Sequence, residues 1–203
     1  MNLSGKTVGF ALTGSHCTFE QIIPVIQAMV DKGASVIPIV SEAVLTTDTR
    51  FGKAEDWIGT IERITRQKCI TTIAGAEPVG PKKLLDVLVI APCSGNTISK
   101  LANAITDTPV LMAAKAQMRN QRPVVLAIST NDGLGLNGVN IGRLWAVKNI
   151  YMVPFGQDDP SNKTTSLVAD MRQIINTVEA ALDKKQLQPM VIEVYNRGHS
   201  NKK

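Results

Sequence analysis

The sequence predicts an α/β fold: a doubly wound, mostly parallel sheet with helices on both faces. Three observations carry this expectation. Short apolar runs recur along the chain, and the most apolar lack the alternation of a half-exposed sheet. Segments with apolar residues at helical spacing separate them, so strand and helix alternate. Small polar residues and glycine follow the first, fourth and fifth runs, as in loops at the carboxyl ends of strands.

Taken in order, residues 7–12 (TVGFAL) read as a buried strand, followed by the turn Thr13-Gly14-Ser15. Thr18 and Gln21 stand at capping-box spacing before a helix carrying Ile22, Ile23, Val25, Ile26, Met29 and Val30. Pro24 must lie in its first turn or bend it, and Gly33 stops it. Residues 35–40 (SVIPIV) form a second strand, with Pro38 as its weak point. From Ala54 to Gln67 the chain is helical, with Trp57, Ile58, Ile61 and Ile64 on one face. Residues 69–73 suit a short third strand, and 87–91 (VLVIA) a central one buried on both faces. Ile98, Leu101, Ala102 and Ile105 follow at helical spacing, and Thr108-Pro109 opens another helix. Residues 123–128 (PVVLAI) are the fifth strand, 129–138 a Gly- and Asn-rich loop, 141–148 a helix and 150–153 the sixth strand. An amphipathic helix is expected over 164–184 and an edge strand over 190–195. One domain over 1–195 is expected, with 196–203 as a frayed basic tail.

The chain has 203 residues, 44% hydrophobic, which suits a globular core rather than disorder. Its net charge is +5 and its pI about 9.2. Much of the excess, Lys184, Lys185, Arg197, Lys202 and Lys203, lies toward the C-terminus. Aromatics are only 4% and do not interleave with basic residues, so the reading is no nucleic-acid partner. No apolar run approaches the ~20 residues of a membrane span, and no signal-peptide pattern precedes the first strand. The cysteines, Cys17, Cys69 and Cys93, are odd in number and widely spaced, which fits a reducing, cytoplasmic setting. Two histidines, His16 and His199, make no metal cluster and no Ser-His-Asp set.

In a doubly wound sheet, ligands bind outside the carboxyl ends of the strands. Four loops there carry the candidate chemistry. Gly14 and Ser15 with His16 can hold a phosphate at a helix N-terminus, or be an ordinary turn and cap. Ser41, past the second strand, can donate to the same phosphate or cap a helix. Ser94, Gly95, Asn96 and Thr97, past the fourth, offer hydrogen bonds without excluding a ring system. Asn131 lies in the irregular loop past the fifth. His16 can orient a ligand or exchange protons, or simply face solvent. Cys93 is either a nucleophile or core packing.

Gly14-Ser15, the run Pro92-Cys93-Ser94-Gly95-Asn96-Thr97 with its continuation to Asp107, and the strand 123–128 resemble the homo-oligomeric flavin-containing cysteine decarboxylase family. That family includes phosphopantothenoylcysteine decarboxylase, lantibiotic decarboxylases and flavin prenyltransferases. The resemblance covers most of residues 5–160 and implies a Rossmann- or flavodoxin-like three-layer fold. It implies FMN near Gly14, Ser15 and Ser41, with Ser94, Gly95, Asn96 and Thr97 along the ribityl chain and ring. Asn131 falls where the decarboxylases carry a motif asparagine, although the motif reads Ile128-Ser129-Thr130-Asn131 here. Their mid-chain histidine has no counterpart in 41–92.

The stretches GFALTGSHCTFEQ, APCSGNTISKLANAITDTPVLMAAKA and STNDGLGLN are most similar to a branch working as one component of a two-component oxidoreductase. His16, from its place after the phosphate-type turn, and Asn131, from its match to the decarboxylase asparagine, are the catalytic candidates, and the closer resemblance implies a dehydrogenase-like partner protein supplying NAD(P). It implies a small dicarboxylate substrate, oxidised to an aromatic ring during sporulation, and a homo-oligomer. Lys100, Lys115, Arg119 and Arg143 are candidate cations for the dicarboxylate, or solvated helix-face charges. Two other readings stay open: a stand-alone FMN-dependent decarboxylase or prenyltransferase, and a non-catalytic phosphate- or nucleotide-binding partner.

Overall fold

The computed structural model describes residues 3–193. The first strands form where apolar residues run without interruption. β1 (Thr7–Leu12) pairs residue for residue with β2 (Ser35–Val40), in parallel. On its other side β1 pairs with β3 (Val87–Ser94), which pairs with β4 (Val124–Thr130), again in parallel. β5 (Ile150–Met152) extends the parallel set beside the first half of β4. The second half of β4 pairs antiparallel with β7 (Leu167–Ala169), and β7 with β6 (Phe155–Gly156). The sheet is therefore mixed: five parallel strands and an antiparallel pair, seven among the described residues.

Helices cover the sheet in two groups. α1 (Phe19–Asp31) packs against α3 (Ala54–Thr65) and α8 (Ile174–Leu182). α6 (Pro109–Arg119) packs against α4 (Ile73–Ala76) and α5 (Gly95–Ala102), and α5 against α7 (Gly138–Trp145). A short α2 (Glu42–Thr46) follows β2. Between these layers Phe10, Leu88, Ile90 and Leu126 are fully buried. Burying such side chains contributes about 1.5–3 kcal/mol each, so truncating Ile90 to Ala costs about 2–5 kcal/mol. Thr108 caps α6 by accepting the Leu111 N–H, with Pro109 at the first helical position as expected. Gly33 ends α1 at φ +83°.

Four expectations need correction. Residues 69–73 form no strand: only Ile70 bridges Ile39, and the Cys69 N–H is taken by the Glu62 carboxylate. No helix spans 164–184. β7, a 3-10 turn (Met171–Gln173) and α8 occupy that stretch, because Leu167 and Val168 are drawn into pairing with β4. The Thr18–Gln21 capping box is not made, since the Thr18 hydroxyl donates to the Ser15 carbonyl. Of the two places open to Pro24, the structure takes the one inside α1, beyond its first turn. The 190–195 edge strand reduces to a bridge from Val191 to Phe155, flanked by hydrogen bonds from the Phe155 N–H to the Met190 carbonyl and from the Ile192 N–H to the Phe155 carbonyl; residues 194–195 lie outside the described residues, as do the 196–203 tail and His199. Pro38 is accommodated because β2 ends the ladder, and its carbonyl accepts the Ile70 N–H. No described helix is long and apolar enough to cross a membrane.

Candidate functional site

The strand order β2-β1-β3-β4 reverses direction at β1, so the connections after β1 and β3 leave a crevice between them. A cavity of about 1200 Å³ opens there, at the carboxyl ends of β1, β3 and β4. Its floor is stitched by buried hydrogen bonds. The Thr13 hydroxyl donates to the Pro92 carbonyl at 2.7 Å and accepts the Ser94 N–H at 2.9 Å. The Ser15 hydroxyl donates to the Ser129 carbonyl at 2.8 Å. These three contacts fix the β1, β3 and β4 loops against one another.

Of the residues singled out from sequence, Gly14, Ser15, His16, Gly95, Asn96 and Asn131 line this one cavity. Ser94 and Thr97 do not. The Ser94 hydroxyl accepts the Thr97 N–H at 3.4 Å and lies 3.1 Å from the Thr97 hydroxyl, so the two side chains cap α5. Ser41 also stands off the wall, at the start of α2, whose Ala43 lies against Gly14. Ser41 Oγ and His16 Nε2 are both buried and bond to no protein group. Burying such groups unpaired costs about 1–3 kcal/mol each, so this corner suits a ligand that supplies their partners. Two glycines of the wall are required by close protein neighbours. A Cβ on Gly14 would press on Ala43 at 3.3 Å. One on Gly95 would fall 2.4 Å from Thr130 Oγ1 and 2.8 Å from Asn137 Nδ2.

The β4 loop contributes a cluster that sequence reading missed. Asp132 accepts from the Thr130 hydroxyl at 2.5 Å and from Asn137 Nδ2 at 2.9 and 3.0 Å. The Thr130 and Asn137 hydrogen bonds hold its carboxyl below the usual range against the opposing effect of burial. Asn140 then donates to Asn137 at 3.0 Å, and Arg143 to Asn103 at 2.8 Å. The outer wall is residues 157–172, a strap tied to the β4 loop where the Thr165 hydroxyl donates to the Asn131 carbonyl at 2.6 Å. Asp158, Lys163, Asp170 and Arg172 of the strap all line the cavity. The sequence signal for the strap was the turn chemistry of Asp158 to Asn162. Lys100 pairs instead with Asp107 at 2.6 Å, and neither it nor Lys115, Arg119 or Arg143 reaches the cavity. Cys93 is fully buried, with its thiol pushed up to about 12 by burial, and belongs to the core. Among the described residues, no group of three His, Cys, Asp or Glu could hold a metal ion.

A sheet of this order with its cavity at the switch point defines a nucleotide-type α/β site. The flavoprotein family model matches residues 1–183, and the chain belongs to that family. It is 56% identical to the B subunit of dipicolinate synthase from Bacillus subtilis over 194 residues, 96% of this chain and 97% of that one. The crystal structure of the corresponding dipicolinate synthase protein from Bacillus halodurans matches with a TM-score of 0.88 and 55% identity, over 95% of this chain and 99% of that one. The FMN-dependent cysteine decarboxylase TvaF of thioviridamide biosynthesis shares the fold, at TM-score 0.63 and 15% identity, over 89% of this chain and 99% of that one.

Proposed function

We propose that the chain binds FMN in this cavity and acts in the cytoplasm as the flavoprotein-like component of a dipicolinate synthase. With a dehydrogenase-like partner component bringing NAD(P), it would oxidise a dihydrodipicolinate-type precursor to dipicolinate (pyridine-2,6-dicarboxylate) during sporulation. The carrying observation is the convergence of Gly14, Ser15, His16, Gly95, Asn96 and Asn131 on one cavity beside two unpartnered buried polar atoms. The likeness to the dipicolinate synthase relatives over nearly the whole chain supports the substrate.

The residues present fit the cofactor. Gly14, Ser15 and Ser41 would hold its phosphate, with the unpartnered Ser41 Oγ as donor. Gly95 and Asn96 would face the ribityl chain and ring, while Ser94 and Thr97 only cap α5. FMN bound there would supply a hydride acceptor. The reaction removes a hydride and a proton from the ring, and aromatisation drives it. His16 Nε2 faces this corner and would hold or pass the proton. Asn131, which also lines the cavity, would orient the substrate. A homo-oligomer would bring several such sites together.

The test is turnover by the separate and mixed components. Neither by itself should oxidise the precursor with NAD(P), and the mixture should. Substantial oxidation by the dehydrogenase-like component without this chain would sink the shared-site reading.

A further inference from the structure

Two cations line the cavity from the strap, and each is paired with an aspartate. Lys163 Nζ lies 3.1 Å from Asp158 Oδ2. Arg172 lies against Asp170, with Nε at 2.8 Å and Nη2 at 3.1 Å from the two carboxylate oxygens. Asp170 is buried, 4% exposed, whereas the Arg172 side chain is 68% exposed and that of Lys163 53%. The Lys163–Asp158 pair is open to water and contributes little to folding, whereas Arg172 compensates a buried carboxylate. Both pairs orient their cations. Asp170 also accepts the Arg172 backbone N–H at 3.2 Å, so one carboxylate fixes both the backbone and the guanidinium of Arg172. Asp170 engages Nε and Nη2, which leaves the Nη1 edge for a second acceptor. Asp158 engages one oxygen contact of an ammonium with three donors.

The rest of the cavity directs anions. Asp132, held ionised by Thr130 and Asn137, sits where a Cβ on Gly95 would come within 3.0 Å of it. It therefore repels a carboxylate from the start of α5. Ser41 Oγ and His16 Nε2 serve a separate corner, by the β1 and β2 loops. Lys163 and Arg172 are the only lysine and arginine among the described residues lining the cavity.

We propose that Lys163 and Arg172 are the specificity-determining pair for this site, taking the two carboxylates of a small planar dicarboxylate. This rests on the reading of the cavity as a dipicolinate-forming site, and it assigns the substrate contacts to the strap rather than to α5, α6 or α7. Preformed pairing to Asp158 and Asp170 keeps both cations in place before the ligand arrives.

The test is calorimetric titration of pyridine-2,6-dicarboxylate and pyridine-2-carboxylate into the chain, with and without FMN, and with the dehydrogenase-like component present. The wild type should prefer the dicarboxylate by roughly ten-fold or more. Lys163→Gln and Arg172→Ala should each abolish that preference while leaving FMN affinity unchanged; Arg172→Ala also lowers thermal stability, because it strands the buried Asp170 carboxylate, so binding is read at a temperature where the variant is folded. Arg172→Lys keeps charge without the two-point contact and should recover part of the preference. A preference that survives in the Lys163→Gln, Arg172→Ala double variant overturns the proposal. So does a wild type that binds no dicarboxylate in any of these states, or variants that lose FMN instead. If the cofactor reading alone is wrong, FMN binding is absent while the dicarboxylate preference and its loss in the variants remain.

Discussion

Gly95→Ala is the substitution on which the site geometry makes the sharpest demand. The added Cβ would lie 2.4 Å from Thr130 Oγ1, 2.8 Å from Asn137 Nδ2 and 3.0 Å from Asp132 Oδ1, where non-bonded heavy atoms prefer ~3.5 Å or more. None of these is the end of a free chain, because each is bonded to another member of the cluster. Overpacking costs about 1–3 kcal/mol. Displacing one hydrogen bond to the carboxylate adds about 1.5–3 kcal/mol. A loss of about 2.5–6 kcal/mol corresponds to a fall in Tm of roughly 5–24 °C for a domain of this size. Gly59→Ala is the matched control: it lies in α3 with nothing within 4 Å of its Cβ position. There the same change should raise stability by about 0.5–1 kcal/mol. Thermal unfolding followed by circular dichroism reads both. If Gly95→Ala melts with the wild type, or Gly59→Ala melts below it, the packing argument fails.

Three further outcomes follow from the same contacts. Ser94→Ala removes the α5 cap and should cost about 1 kcal/mol in urea unfolding, without weakening flavin binding. The Asp132 carboxyl is held below its unfolded value by Thr130 and Asn137, so its stabilising contribution is full above about pH 4 and is lost as pH falls through the lower folded value. Asp132→Asn should flatten that part of the acid-side decline, and an unchanged slope would contradict the assignment. A chromogenic disulfide should label Cys17 quickly, because it is exposed on the cavity wall. Cys93 and Cys69, whose thiols burial pushes up to about 12, should react only slowly or on unfolding, and a cavity ligand should protect Cys17.

The parallel half of the fold was legible because its signals are local. The apolar strands 7–12, 87–91 and 123–128, the Thr108-Pro109 helix start and the Gly33 stop all act over a few residues. The strap was not, and the reason is visible. Leu167, Met171, Ile174, Val178 and Ala181 fall at spacings of four, three, four and three, one continuous helical stripe. Pairing of β7 with β4 and the Asp170 side chain accepting the Arg172 N–H break that stripe in two. Both depend on partners that spacing does not reveal. The site was half legible for a similar reason. Glycine and small polar residues after strands marked Gly14, Ser15, Gly95 and Asn96. Nothing in the order Thr130, Asp132, Asn137 shows that one carboxylate gathers both side chains. Ser94 and Thr97 looked like ligand donors because a capping serine and a binding serine have the same composition.

The most direct test of the central claim is an FMN titration of the purified chain, followed by visible absorbance and flavin fluorescence, beside Asn96→Ala. Asn96 lines the cavity and makes no part of the α5 cap, so its loss should not disturb folding. The account predicts saturable binding by the wild type, weakened at least several-fold in the variant. No saturable binding by the wild type, or equal binding by both, would contradict the placement of FMN at the carboxyl ends of β1 and β3.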